Sequence, residues 1–264
     1  MRFAPLASGS SGNCTFVEAG DVRLLIDAGP SARRLADLLR GIDVDPASVS
    51  AILITHEHTD HIGGAAVFSR KYGIPVYANA ETHEAMLLKK TEISPGLIRV
   101  IEPDRIFYIR QAKILPFATQ HDSARSMGYS VMHGACKCTV MTDTGRVTDR
   151  MLDAAAGSDV ILIEANHDVE MLKCGPYPAS LKHRILSARG HLSNEDCGAV
   201  LCRLYDTGVR NVVLGHLSEE NNTPELARVT VESILQEKGI LREMRIIVAR
   251  RLEPTGVFRI GEDG

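Results

Sequence analysis

The sequence predicts a layered α/β fold, and three observations carry that expectation. Strand-like apolar runs alternate with helix-like ones along the chain, the pattern of sheets covered by helices. No internal repeat, low-complexity tract or linker interrupts the 264 residues, so one domain over residues 1–264 is expected. Six strand-like runs end on a side chain able to bind metal or move a proton. In layered α/β folds, ligands sit beyond the carboxyl ends of strands.

From the amino terminus, extended runs are expected near residues 2–6, 14–18 and 22–26. A helix near 31–40 follows the Pro30-Ser31 entry, and the apolar run Ala51-Ile52-Leu53-Ile54 makes a strand over 51–55. The Gly63-Gly64 pair marks the entry to a helix near 63–73. The middle is strand-rich, with runs near 113–119, 128–133 and 137–142, the last two joined by a turn through His133-Gly134-Ala135. A helix near 148–156, a strand at 159–163 and helices near 178–188 and 194–206 come next, Ser193 capping the last. A strand at 211–215 precedes a helix at 224–238, with Thr223 as cap and Pro224 at its first position, where a fixed φ suits a helix start. Short strands close the chain.

Composition narrows the function classes. At 44% apolar and 24% charged residues the chain reads as an ordinary water-soluble globular protein. Its first residues lack an apolar signal segment and no run is long enough to span a bilayer, so a cytoplasmic location without a membrane partner is expected. Six scattered cysteines lack the density of a disulfide scaffold and are expected mostly as buried thiols, Cys136 and Cys138 in a hairpin. A net charge of -3 excludes a basic coat, but residues 167–190 set Lys173, Lys182, Arg184 and Arg189 against only Asp168 and Glu170. With no Trp and six each of Phe and Tyr, no platform for stacking unpaired bases is visible, which suits duplex backbone better than base reading.

The densest signal is Thr55-His56-Glu57-His58-Thr59-Asp60-His61, three histidines and one aspartate in six consecutive positions after an apolar run. In an extended segment His56 and His58 point to the same side and can bind one ion, while Asp60 and His61, past the turn, face a second. This differs from the helical His-Glu-x-x-His of zinc proteases, whose histidines stand four apart. The other strand ends carry Asp27, His121, Asp143, Glu164 and His216. Together they place a constellation along one edge. His83 reads as an exposed helical residue and His133 as a turn residue, and neither is assigned a function.

Ile26-Asp27-Ala28-Gly29, the His56 to His61 run, His121, Asp143 before Thr144-Gly145, and Gly215-His216-Leu217-Ser218 resemble, in order and across nearly the whole chain, the metallo-β-lactamase-fold hydrolases. The resemblance implies a four-layer αββα sandwich of two mixed sheets with a dinuclear site along one edge. It implies that His56, His58 and His121 hold one metal, that Asp60, His61 and His216 hold the other, that Asp143 bridges them and that Asp27 orients a ligand from behind. The cofactors so implied are two divalent ions per chain, zinc by the histidine-rich set, with manganese or iron also fitting mixed nitrogen and oxygen donors. Such a pair lowers the pKa of a bridging water and clamps the attacking and departing oxygens of a displacement.

Glu164-Ala165-Asn166-His167-Asp168, Gly190-His191-Leu192-Ser193 and then His216 are similar in order to ribonuclease Z-type phosphodiesterases. That resemblance implies Asp60, Glu164 and His191 as catalytic residues, hydroxide attacking phosphorus and His191 protonating the leaving oxygen. Ser8-Gly9-Ser10-Ser11-Gly12-Asn13, Gly175-Pro176-Tyr177-Pro178, Lys182-His183-Arg184 and the Asn221-Asn222 pair resemble the YycJ/WalJ branch of the same family. The branch implies a 5'-to-3' exonuclease acting on double-stranded DNA, with a role in DNA repair. On such a substrate Ser8, Ser10, Ser11, Asn13 and Ser193 would contact phosphate, and Lys182 and Arg184 would hold flanking backbone. Two other readings use the same residues: a hydrolase of a small ester, thioester, lactone or cyclic phosphodiester, and a metal-bound DNA-binding or regulatory scaffold without turnover. Loss of turnover on changing Asp60 or His191 with the fold retained separates enzyme from scaffold. Oligomeric state is left open.

Overall fold

Side-chain alternation along the strands sets the architecture, which a computed structural model describes for residues 1–261; residues 262–264 of the expected domain lie outside these. The first sheet takes β1 (Arg2–Ala7), β2 (Cys14–Ala19), β3 (Val22–Ile26), β4 (Ala51–Leu53), β5 (Val76–Ala78) and β6 (Ile98–Val100) in that order. The second takes β7 (Phe107–Ile109), β8 (Ala112–Ala118), β9 (Met127–His133), β10 (Cys136–Met141), β11 (Val160–Glu164), β12 (Asn211–Gly215) and β13 (Arg245–Val248). A last strand, β14 (Phe258–Arg259), returns to pair with β1. Both sheets are mixed in the same way, antiparallel in the first half and parallel from β3 to β6 and from β10 to β13.

The central strands bury both faces, and the two faces belong to different cores. On β3, Val22, Leu24 and Ile26 pack toward the second sheet, meeting Ile114, Tyr129, Val140 and Leu162. Leu25 faces the other way, into helices α1 (Ala32–Arg40) and α3 (Ala65–Tyr72), through Leu35, Leu39 and Phe68. On β11, Val160 and Leu162 lie between the sheets, whereas Ile161 and Ile163 pack under α5 (Asp149–Ala155), α8 (Asn194–Tyr205) and α9 (Pro224–Glu237). Period-two alternation buried on both sides therefore produces the four layers αββα. The remaining helices are α2 (Thr59–Ile62), α4 (Ala80–Leu88), α6 (Val169–Cys174) and α7 (Ala179–Ile185). Among the described residues no helix is long and apolar enough to cross a membrane. Of the six free thiols, Cys14, Cys138 and Cys197 are buried and Cys174 is exposed.

Several boundaries move. The expected helix near 63–73 runs over Ala65–Tyr72, preceded by the short helix Thr59–Ile62 that was not expected, and Gly63 and Gly64 separate the two where the chain crosses the Gly29-Pro30 loop: a Cβ on Gly64 would lie 2.0 Å from the Pro30 carbonyl oxygen. The strand expected to reach residue 55 ends at Leu53, after which Tyr129 Oη donates to the Ile54 carbonyl (2.6 Å) and Met127 N to that of Thr55 (3.0 Å). Those bonds tie the two sheets together just before His56.

Candidate metal centre and catalytic groups

Three of the strand ends turn onto the site through left-handed backbone. Asp27 (φ 62°) follows β3, Asp143 (φ 56°) lies two residues past β10 and His216 (φ 53°) follows β12. Outside glycine, Asp, Asn and His are the residue types enriched in this region, at about 1–3 kcal/mol each, and such positions concentrate where a site must aim a side chain. Asp27 N donates to the Leu53 carbonyl (2.8 Å), and His216 N to Ser8 Oγ (2.8 Å). The Asp60-His61 segment is pinned from both sides: Asn13 N donates to the Asp60 carbonyl (2.7 Å) and Ala28 N to that of His61 (2.8 Å). Gly29 passes so close that a Cβ there would lie 1.7 Å from the Asp60 carbonyl oxygen.

The side chains of the expected ligand set converge. Donor atoms of His56, His58 and His121 lie within 4.8 Å of one another, as do those of Asp60, His61 and His216, and those of His56, His61 and Asp143. Asp143 stands between the two triplets, with one oxygen 3.4 Å from His61 Nε2 and the other 3.3 Å from His216 Nδ1 and 3.8 Å from His121 Nε2. Bonds on the far ring nitrogens decide which atom each imidazole offers. His61 Nδ1 meets Asp27 Oδ2 (2.7 Å), His56 Nδ1 meets Thr55 Oγ1 (2.9 Å) and His121 Nδ1 meets the Gly190 carbonyl (3.0 Å). In each, Nε2 is left to face the centre.

This donor set fits divalent cations. Among the described residues His56 Nε2 and Asp143 Oδ2 are buried with no hydrogen-bond partner, an arrangement that costs about 1–3 kcal/mol per group unless something coordinates it. Burial, reinforced by the neighbouring histidines, holds His56 well below the usual imidazole range, and burial likewise lowers His58; both rings are thus in the neutral form that binds metal. On the other side the carboxylates prevail. Burial opposes the charge of His61 and His216, yet Asp143, with Asp27 and Asp60 around His61 and with Asp60 and Glu164 around His216, raises both imidazoles. Asp60, against its own burial, is held well below the usual carboxylate range by His61 and His216. The buried carboxylates that favour a proton on these two rings would favour a divalent cation in its place, the proton leaving as the metal binds.

Beside the metal residues stands a second grouping. Glu164, fully buried, places Oε1 2.7 Å from His191 Nδ1 and 2.8 Å from His216 Nδ1. Its other oxygen accepts from Thr144 N (3.0 Å) and Leu192 N (3.3 Å). Although burial works the other way, His191 and His216 keep Glu164 ionised, and Glu164 in turn raises His191. His191 keeps its second nitrogen toward a cleft of about 240 Å³, floored by Asp60, Asp143 and His216 and walled by Tyr177, Leu181 and Arg184.

The expected phosphate contacts divide. Ser10 is exposed and lines the cleft, as does Arg184, which pairs with Asp122; Ser11 is exposed beside it. Three are committed elsewhere, by burial and by internal bonds. Ser8 holds the His216 backbone, Asn13 Nδ2 donates to Asp60 Oδ2 (3.0 Å) and the Gly9 carbonyl (3.1 Å), and Ser193 Oγ caps α8 by accepting from Asp196 N (3.0 Å). Lys182 Nζ donates to the Lys173 carbonyl (2.6 Å). Residues assigned no such role from the sequence do similar positioning work: Thr55 between Asp27 and His56, Arg189, expected only as part of a basic stretch, on the His121 carbonyl (3.1 Å), and Asn166 on that of His216 (2.8 Å). Asn222 Nδ2 ties the Ala165 carbonyl (2.9 Å) to Asn194 Oδ1 (2.9 Å), joining the loops that carry Glu164 and His191. The repeated Gly-His-Leu-Ser at 190–193 and 215–218 was the available signal for these loops.

Comparison with known proteins gives the family and the fold. Residues 22–217 match the family model described as beta-lactamase superfamily domain. The chain is 40% identical over 247 residues to exodeoxyribonuclease YycJ of Bacillus anthracis, covering 90% of each chain. It is 41% identical over 242 residues to exodeoxyribonuclease WalJ of Streptococcus pneumoniae, covering 91% of this chain and 90% of that one. The metallo-beta-lactamase fold protein YhfI of Bacillus subtilis superposes with a TM-score of 0.73 at 16% identity, over 98% of this chain and 99% of that one, a likeness of fold alone.

Proposed function

The chain belongs to the beta-lactamase superfamily and is a metal-dependent hydrolase, and from that premise we propose that it is a dinuclear phosphodiesterase, a 5'-to-3' exonuclease on double-stranded DNA that serves DNA repair in the cytoplasm as a single domain. The observation that carries the reading is the Glu164–His191 pair beside the metal ligands, at 2.7 Å. A deoxyribose 3'-oxygen is a poor leaving group, and an imidazolium held by a buried carboxylate supplies the proton it needs. The nuclease names of relatives at 40–41% identity support the substrate class.

His56, His58 and His121 would hold one ion, Asp60, His61 and His216 the second, and Asp143 both. When bound, two such ions supply Lewis acidity at phosphorus and a water of lowered pKa. Zinc suits the histidine-rich set, and manganese and iron suit its mixture of nitrogen and oxygen. The chain's own work is positional and protonic. Asn13 orients Asp60, Asp27 and Thr55 orient His61, and Glu164 keeps His191 protonated with its free nitrogen toward the cleft.

The test is a substrate panel. Protein reconstituted in turn with zinc, manganese or iron is given 5'-phosphorylated duplex DNA, single-stranded DNA, RNA and a small thioester. Shortening of the duplex from its 5' end is the expected result; thioester hydrolysis without phosphodiester cleavage would overturn the reading.

A further inference from the structure

A second cavity, of about 520 Å³, adjoins the metal cleft, and Ser218 lines both. Its walls carry Arg34 from α1 and Arg250 and Arg251 from the segment after β13, with Ser8 and Asn222, against one acid, Glu253. In a chain of net charge -3 this gathering of guanidinium groups is local. The loop at residues 8–13 joins it to the metal site. Ser8 N donates to the Arg251 carbonyl (3.2 Å), and a Cβ on Gly9 would touch Arg251 Cγ at 3.4 Å. Four residues on, Asn13 bonds Asp60.

The arginines are not locked away. Arg250 pairs with Glu253 at 3.2 Å with both side chains more than half exposed, and Arg251, 31% exposed, pairs with Glu219, 68% exposed. Exposed pairs of this kind are worth about 0–1 kcal/mol and give way to a phosphate, which takes a guanidinium bidentately. Arg34 donates to the Leu252 carbonyl and so braces this segment against α1.

We propose that the Arg34, Arg250 and Arg251 cavity binds the phosphodiester backbone of duplex DNA beyond the scissile phosphate, so that the strand runs from the metal site past Ser218 and away from α7. The proposal rests on the nuclease reading. Contiguity with the cleft favours a strand over a free anion, because a chain held at the metals reaches the arginines without a break.

The experiment measures binding of a cleavage-resistant phosphorothioate duplex to metal-loaded protein by fluorescence anisotropy across a salt series. Arg250→Gln/Arg251→Gln is expected to weaken binding about tenfold or more and to flatten the plot of log affinity against log salt by roughly 2, at about 0.9 per lost phosphate contact. The charge-matched control Arg203→Gln/Arg242→Gln, on surfaces away from the cavity, is expected to change neither, and melting temperatures confirm that both variants fold. Wild-type affinity and slope in the cavity variant would overturn the proposal. So would loss of inorganic phosphate binding with duplex affinity kept, which marks a free-phosphate site, or a loss confined to RNA. Duplex bound through the cavity but never cut would sink the nuclease reading alone, whereas duplex cut normally by the cavity variant would sink this inference alone.

Discussion

Replacing Glu164 by Gln removes one charge and almost no volume, yet it disturbs four hydrogen bonds at once. One carboxylate oxygen faces His191 Nδ1 and His216 Nδ1, and the other faces Thr144 N and Leu192 N. An amide has a single acceptor oxygen, so either orientation turns its NH₂ toward two buried donors. Two unsatisfied donors at about 1–3 kcal/mol each give a destabilisation of about 2–6 kcal/mol, a fall in Tm on the order of 10 °C. The same change removes the anion that raises His191. Without that anion the burial of the ring is no longer offset, and the His191 pKa falls. Because His191 acts in its protonated form, the rate falls as pH rises through that pKa, and the alkaline limb of the pH–rate profile moves to lower pH in Glu164→Gln. The assay is DNA cleavage by metal-loaded protein from pH 5 to 10 beside thermal melting. A uniform loss of rate with an unshifted alkaline limb would refute the coupling and leave Glu164 a structural residue.

Asn13→Ala frees Asp60 and the Nε2 side of His61, and a ten- to hundredfold loss of affinity at one of the two metal positions is expected in chelator competition, with unchanged affinity at both refuting the role. Gly29→Ala meets the Asp60 carbonyl at 1.7 Å, so expression should yield little folded protein, a loss of about 4 kcal/mol or more; a soluble variant with native melting would contradict that packing. His167 is buried and held down to about 4, chiefly by burial. Unfolded, it takes its proton near pH 6.5, so stability is complete above that pH and falls by up to about 3 kcal/mol as pH drops from 6.5 to 4. Urea midpoints across that range should flatten in His167→Leu, and identical curves for the two proteins would show that His167 plays no part in acid sensitivity.

Much of the site is legible along the chain because the fold delivers it one strand end at a time. His56, His121, Asp143, Glu164 and His216 each come after an apolar run, and period-two alternation reveals such runs without any knowledge of pairing. Contact between distant segments stays hidden. Asn13 looks like any polar loop residue, and only folding brings it onto Asp60, 47 positions away. Ser193 is the converse case: its cap geometry was visible, and that local bond is the one the fold uses in place of a phosphate contact. Residues 74–109 carry little signal for a physical reason. Strands β5, β6 and β7 are three residues long, too short for alternation to show, and α4 buries only Thr82 and Met86, so no apolar stripe marks it.

The proposed mechanism turns on His191 handing a proton to a poor leaving group at a metal-loaded site. Its sharpest test compares wild type and His191→Ala, at equal metal content, on two substrates: duplex DNA, whose alkoxide must be protonated, and a p-nitrophenyl phosphodiester, whose phenolate leaves without help. If His191 is the proton donor, DNA cleavage slows about 10²- to 10⁴-fold while the activated ester is cleaved at nearly the wild-type rate; equal losses on both substrates, or none on DNA, would show that it is not.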